Sequence, residues 1–425
     1  MPATQMTTAE VPGVYSRLAS AIGARHWQGA VARQEDVIRS NHFLGDYLRS
    51  EYAIAYQLDR LRRLVVEFGT VPHQACNDPS IFLSLAFAAQ VLGVLERSSA
   101  KQAKAFVKRV RAAFSRSEEL HGLRLELQAA THFARRGQRV AWHRVKNGGS
   151  FDLLIEDLGP TGLEVECKSI SENKGRRIHR RDALEFWGEL WRDLAGVAQN
   201  LRSGLAVVLT VPYRLPADAG ERVALAREVV TRIVAGSGAT LGGGAEVRVE
   251  PFDPAKIEEA KDQGREPLRK AIDAATGTAN REAAVYGTPS GGMLAFVMQS
   301  AVEDDVLDQV FATLNDSAAR QFTRKRGALF WVALQGIDAD QMLSLHEKES
   351  DRGEQPTALK FEVSNFLNRA PGHIVGVVFS SRSGLFPAVE GSMDSGGVTN
   401  FFLKKESPLW HASFRGPLRA AGMTE

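Results

Sequence analysis

The chain has 425 residues, 44% of them hydrophobic and 24% charged, with a formal net charge of +3. That length predicts two or three domains, and that composition excludes a disordered, collagen-like or strongly polybasic chain. Its two cysteines, Cys76 and Cys167, exclude a disulfide framework and a cysteine-rich zinc site, so a reducing cytoplasm is the expected setting.

The first residues, MPATQMTTAEVPG, lack the charged start and apolar core of a signal peptide. Residues 1–115 read as a helical region, because 51–68, 81–97 and 101–114 combine helix-forming composition with few turn residues. The most apolar run, 81–95, contains Ser84, Gln90 and Gly93. It is too short for a hydrocarbon core of about 30 Å and reads as a buried helix begun by Asp78, Pro79 and Ser80, so no membrane partner is expected. Lys101, Lys104, Lys108, Arg109 and Arg111 read as a solvated helix face. Ser115-x-x-Glu118 resembles a capping box, which predicts a helix from there to Arg136, stopped by Gly137.

The pattern then turns to short β-rich runs at 138–145, 151–156 and 162–169, separated by KNGGS and DLGPT. A helix is predicted over 181–201, with Trp187 and Trp191 as core residues. A buried central strand, GLAVVLTV, follows at 204–211, then a helix at 217–234 and a strand at 245–252. Helix, three strands, helix and strand in this order predict an α/β fold with a mixed sheet. Beyond 253 the pattern predicts helices at 254–276, 302–322 and 354–368. It predicts strands at 292–299, 328–335 and 373–380, and glycine-rich turns at 242–244, 287–292 and 391–397. The expected division is 1–115, 116–252 and 253–425.

One strand, LEVECKSI, carries an unusual charge pattern. Residues two apart share a face, so Glu164, Glu166 and Lys168 point one way and Leu163, Val165 and Cys167 the other. If Glu156 faces Gly162 across the five-residue loop DLGPT, Asp152 lies directly opposite Glu166. A slip of one residue would put Asp152 opposite Cys167 and split the acids between faces; the odd loop is the expected one. Glu126 sits within the apolar stripe Leu123, Leu127, Ala130 and Ala134, away from the polar face of Arg124, Gln128, Thr131 and Arg135. A buried carboxylate costs several kcal/mol unless a cation or hydrogen bonds compensate it. Three acids and a lysine suit metal-assisted phosphodiester hydrolysis, in which Mg²⁺ takes hard oxygen ligands and keeps several waters. Glu164 reads as an ordinary solvated acid.

Asp152, then Glu166-Cys167-Lys168, preceded by a helix bearing Glu126, resembles the restriction-endonuclease-like PD-(D/E)XK nuclease superfamily over about residues 118–212. The resemblance implies an α/β fold: an αβββαβ core with a mixed sheet, a helical region before it and a further α/β region after it. It implies Asp152, Glu166, Glu126 and the main-chain carbonyl of Cys167 as metal ligands and Lys168 as the catalytic lysine. Mg²⁺, replaceable by Mn²⁺, would support hydrolysis that leaves a 5′-phosphate, in genome defence or DNA repair. Phe151 stands where the motif has proline. The adjoining Lys174, Arg176, Arg177, Arg180 and Arg181 are candidate nucleic-acid contacts, since phosphate neutralisation drives such binding. DNA is favoured over RNA, and cutting both strands with one site per chain favours a homodimer. Arg320, Arg324, Lys325 and Arg326 are a weaker basic group. The alternative is a catalytically inert nucleic-acid-binding or scaffold protein with the same fold. No phosphate-loop, H-E-x-x-H or G-x-S-x-G pattern occurs.

Overall fold

The computed structural model describes residues 5–142, 150–278, 282–337, 339–350, 355–381, 384–389 and 392–419. The chain is α/β with mixed sheets. It gathers into two compact units, one of Met1–Gln34, Arg49–Lys174 and Leu307–Glu425, the other of Glu35–Leu48 and Gly175–Val306. The divisions expected after 115 and 252 fall inside these units. Among the described residues no helix is long and apolar enough to cross a membrane.

The first unit begins as the helical layer that its composition predicts. Phe82–Leu95 is buried almost all round, and the Asp78 side chain accepts from Ser80 N at its start. Ser99 and Gln102 form a capping box on Ala100–Ala113. The long helix Ser117–Arg135 starts without the expected Ser115 cap, because Arg116 is its capping residue and no side chain caps it. It ends as predicted, with Gly137 at φ 79°. Its Leu120, Leu123 and Leu127 join the helical core, while Leu125, Ala129 and Phe133 face the sheet. The supposed polar face is therefore mostly enclosed, with Arg124 and Thr131 both buried.

The sheet of this unit has six strands in the order Thr399–Leu403, Ile374–Ser380, Gly327–Leu334, Leu163–Ile170, Leu153–Ile155 and Val140–Trp142. The remainder of the strand expected at 138–145 and most of the KNGGS turn lie outside the described residues. Leu163–Ile170 pairs antiparallel with Leu153–Ile155 and parallel with Gly327–Leu334. The strand predicted to complete the core, Gly204–Val211, is not in this sheet. That position belongs to Gly327–Leu334, an equally apolar run whose Phe330 and Trp331 alternate between two covered faces. Trp331 lies on the side of the long helix, and Phe330 stacks edge-on with Phe322 and Phe366. A small sheet of Gln5–Thr7, Ser392–Gly396 and Gly384–Val389 completes the unit, so a strand occupies most of 391–397, where a turn was expected.

His132 ties the long helix to the chain's last described segment. Its Nε2 lies 2.8 Å from the Pro417 carbonyl, which can only accept, so Nε2 carries the hydrogen. Nδ1 then accepts from Arg136 at 3.1 Å, and Trp331 packs against the ring. Burial first, then the Arg136 charge, push its pKa down to about 3. The folded value lies below the unfolded one, so this contribution to stability is full above about 6.5 and is lost as pH falls towards 3. Urea midpoints measured across that window should fall less steeply for His132→Gln than for the wild type.

The second unit is a five-stranded sheet in the order Ala239–Thr240, Glu246–Phe252, Gly204–Val211, Met293–Ser300 and Glu282–Gly287. Gly204–Val211 is central, as its unbroken apolar run predicts. Helices Arg180–Ala198 and Ala219–Ala235 pack on this core, with Trp187 buried against Phe296 and Trp191 half-buried against Tyr286.

Candidate active site

The hairpin that carries the charged residues adopts the expected register. Leu153 pairs with Val165, Leu154 with Glu164 and Ile155 with Leu163, which is the expected register over these residues; Asp152 lies just beyond the paired strand. Gly162 closes the turn at φ 89°, and a Cβ there would lie 3.1 Å from the Ile155 carbonyl. Gly162→Ala should therefore cost about 1–3 kcal/mol, read as a lower urea midpoint.

Beyond Leu153 the backbone bonding shifts by one residue, Asp152 N donating to the Val165 carbonyl at 3.1 Å, and the Asp152 side chain makes a further contact with the strand. Its Oδ2 accepts from Cys167 N at 2.9 Å. In an extended residue N–H and C=O leave on the same side of the strand, so the Cys167 carbonyl is directed to the Asp152 side as well. Glu166 is only 3% exposed. Its Oε1 accepts from Lys168 Nζ at 2.7 Å, while its Oε2 is buried with no hydrogen-bond partner. Burial, followed by the Asp152 charge, pushes the Glu166 pKa up to about 8, with Lys168 pulling the other way. The Cys167 thiol is pushed well above its ordinary value, first by desolvation and then by Asp152, Glu126 and Glu166. The three carboxylates are thus within electrostatic reach of one sulfur.

Glu126 is held differently from the other acids. Its helix covers the Val165–Cys167–Trp331 face of the sheet, whereas Glu166 and Lys168 share the face of Phe330 and Val332. Both Glu126 oxygens are engaged by Arg109, with Nη1 2.5 Å from Oε2 and Nη2 on Oε1. Desolvation works against the Arg109 charge, but the hydrogen bonds and charge of Glu126 outweigh it and raise its pKa, with a smaller push from Asp152. Among the described residues no three His, Cys, Asp or Glu side chains are arranged to hold a metal ion. The direct contacts make a smaller group, Lys168 on Glu166 with Asp152 acting on Glu166 through its charge, while Glu126, whose charge also reaches Glu166, is engaged by a guanidinium.

That smaller group still fits Mg²⁺, which uses one or two carboxylates and leaves its other positions to water and phosphate. A buried carboxylate oxygen without a partner is what a cation would satisfy. Arg109 was misassigned to a solvated face. The signal for it was indirect, because an acid buried on one helix requires a cation from another element.

Glu164 is the clearest reversal. It is fully buried and accepts from Thr323 N at 2.9 Å, from the Thr323 hydroxyl and from Arg326 at 3.3 Å. Arg326 therefore anchors the turn before Gly327–Leu334, and Arg320 pairs with Asp316.

The basic segment is largely occupied. Lys174 ends a stretch of the first unit, and its backbone N donates to Ser171 O. In the second unit Arg176 pairs with Glu282, Arg177 with Asp305 and Arg181 with Glu185, while Arg180 opens its helix, exposed. Arg177 also lies over the Tyr213 ring. Compared with family models, curated proteins and solved structures, the chain matches none.

Proposed function

We propose that this chain is a Mg²⁺-dependent nuclease that hydrolyses phosphodiester bonds, DNA favoured, with a PD-(D/E)XK-like core. The observation that carries the reading is the hairpin that brings the Asp152 carboxylate onto Cys167 N, next to Glu166. Beside it, Lys168 sits 2.7 Å from one Glu166 oxygen, and the other oxygen is left without a partner. The element order supports it: Ser117–Arg135, three antiparallel strands, Val306–Arg320 and Gly327–Leu334 follow the αβββαβ sequence once the segment from Gly175 is set aside.

In this reading Asp152, Glu166 and the Cys167 carbonyl hold the cation. When bound, the cation neutralises phosphate charge and makes water a better nucleophile at neutral pH. Lys168 donates to the attacking water or to a phosphate oxygen as negative charge develops. Asp152 also fixes the strand through Cys167 N, so it both positions and binds. Plasmid nicking with Mg²⁺ or Mn²⁺ tests the proposal. Activity that is lost with EDTA and in Asp152→Ala supports it; equal activity in all samples would sink it.

The second reading is an inert nucleic-acid-binding fold. The bidentate hold of Arg109 on Glu126 favours it, because that guanidinium supplies positive charge internally. It predicts salt-dependent DNA binding without nicking.

A further inference from the structure

We infer that the edge strand Glu282–Gly287 is a homodimer interface, at which the same strand of a second copy pairs with it antiparallel and the two five-stranded sheets join. The strand is the last in its sheet and pairs on one side with Met293–Ser300 through all its six residues, without a bulge. No described strand lies on its other side, and the outward backbone groups over 283–287 have no backbone partner among the described residues. Ala283 and Gly287 are exposed, and a Cβ at Gly287 would meet open space. Proteins blunt such an edge by shortening it, by proline or a bulge, or by a cover. The other described edges of this chain are treated that way. Ala239–Thr240, Val140–Trp142 and Gln5–Thr7 have two or three residues. Gly384–Val389 has Pro387 at a register shift, and the helix Ala339–Ser350 packs on Thr399–Leu403.

An open edge recognises a second extended backbone, and this edge is complementary to itself. A two-fold axis normal to the sheet keeps each residue on its own face. An axis at Ala284 therefore opposes Ala283 to Val285, and Glu282 to Tyr286, of the second copy. No acid meets its twin, and small side chains sit at the closest approach. The opposite edge of the sheet, Ala239–Thr240, has only two residues and cannot match this strand. The like pairing closes on itself, so it gives a dimer and not a filament. Beside the strand, Tyr286 packs with Trp191 and Phe43 in a half-buried aromatic cluster, residue types that anchor interfaces once fully desolvated.

The test is the mass of the full chain in solution, by light scattering and sedimentation over a micromolar concentration series. The wild type should reach twice the 46.4 kDa of one chain. Ala283→Lys, at an exposed position, sets two ammonium groups on one face beside the axis. It should return the mass to that of one chain with an unchanged circular dichroism spectrum. Hydrogen exchange reads the same edge without a substitution: wild-type amides over 283–287 should gain protection as concentration rises. Where Ala283→Lys does not fold, that measurement decides. A wild type that stays at the mass of one chain would overturn the inference. So would a folded Ala283→Lys that stays dimeric, or a dimer whose 283–287 amides exchange at the same rate at every concentration. The inference stands apart from the nuclease reading, which plasmid nicking tests separately and which survives any of these results.

Discussion

Lys168→Ala is expected to slow Mg²⁺-dependent cleavage about 100- to 1,000-fold, the scale of removing one preorganised electrostatic donor. Mn²⁺ binding should survive. The Lys168 side chain is 19% exposed and its ammonium is spaced from the sheet by the same period-two geometry as Glu166. In the proposed mechanism it acts on the reacting centre while bonded to a residue that would hold the cation. Lys168→Arg should not restore the rate, because a planar guanidinium cannot take the place of a compact ammonium. Single-turnover cleavage of a defined duplex, with metal binding measured alongside, separates the outcomes. If Lys168→Ala abolishes metal binding together with cleavage, its role is to support Glu166 and not to act on the substrate.

Glu164→Ala is expected to destabilise the first unit by about 2–4 kcal/mol, the range for stranding partners of a buried charged acceptor. Three donors converge on this carboxylate from the turn that feeds Gly327–Leu334. Its removal leaves Thr323 N–H without its acceptor. Arg326 is about one-third exposed and can rehydrate, which keeps the loss below that of a fully enclosed pair. Urea denaturation should show a lower midpoint at unchanged slope. A loss under about 0.5 kcal/mol, the usual scatter for surface sites, would restore Glu164 to the role of a solvated acid.

The contrast between Glu164 and Glu166 shows what the sequence could and could not convey. Periodicity was enough to place both on one face and to set the Leu153–Val165 register, because strand register depends on local turn parity and on which face is apolar. Whether that face is wet depends on what comes to cover it. The cover for Glu164 is a turn more than 150 positions away, and no local pattern carries that information. Arg109 was missed for the same reason: its helix looks amphipathic alone, and only the neighbouring helix reveals which charge turns inward. Glu282–Gly287 and Thr399–Leu403 carried too little apolar run to be read, whereas many element runs were legible, Gly204–Val211 and Gly327–Leu334 being unmistakable buried strands. Their resemblance was also the trap. Two such strands follow the motif, and proximity along the chain selected the wrong one as partner of Leu163–Ile170.

The segment from Gly175 to Val306 has its two ends joined, since Asp305 N donates to the Gly175 carbonyl at 2.9 Å and Gly175 has no room for a Cβ beside Val306. Pairing Leu163–Ile170 with Gly327–Leu334 while that segment is unfolded means closing a very long loop, whose entropic cost grows with the logarithm of its length. Once the segment has folded, its ends coincide and the loop is effectively short. Folding should therefore be hierarchical on the ribosome and in the tube. The interposed segment acquires protection from hydrogen exchange first, and the parallel pair beside the Leu153–Ile170 hairpin zips up afterwards.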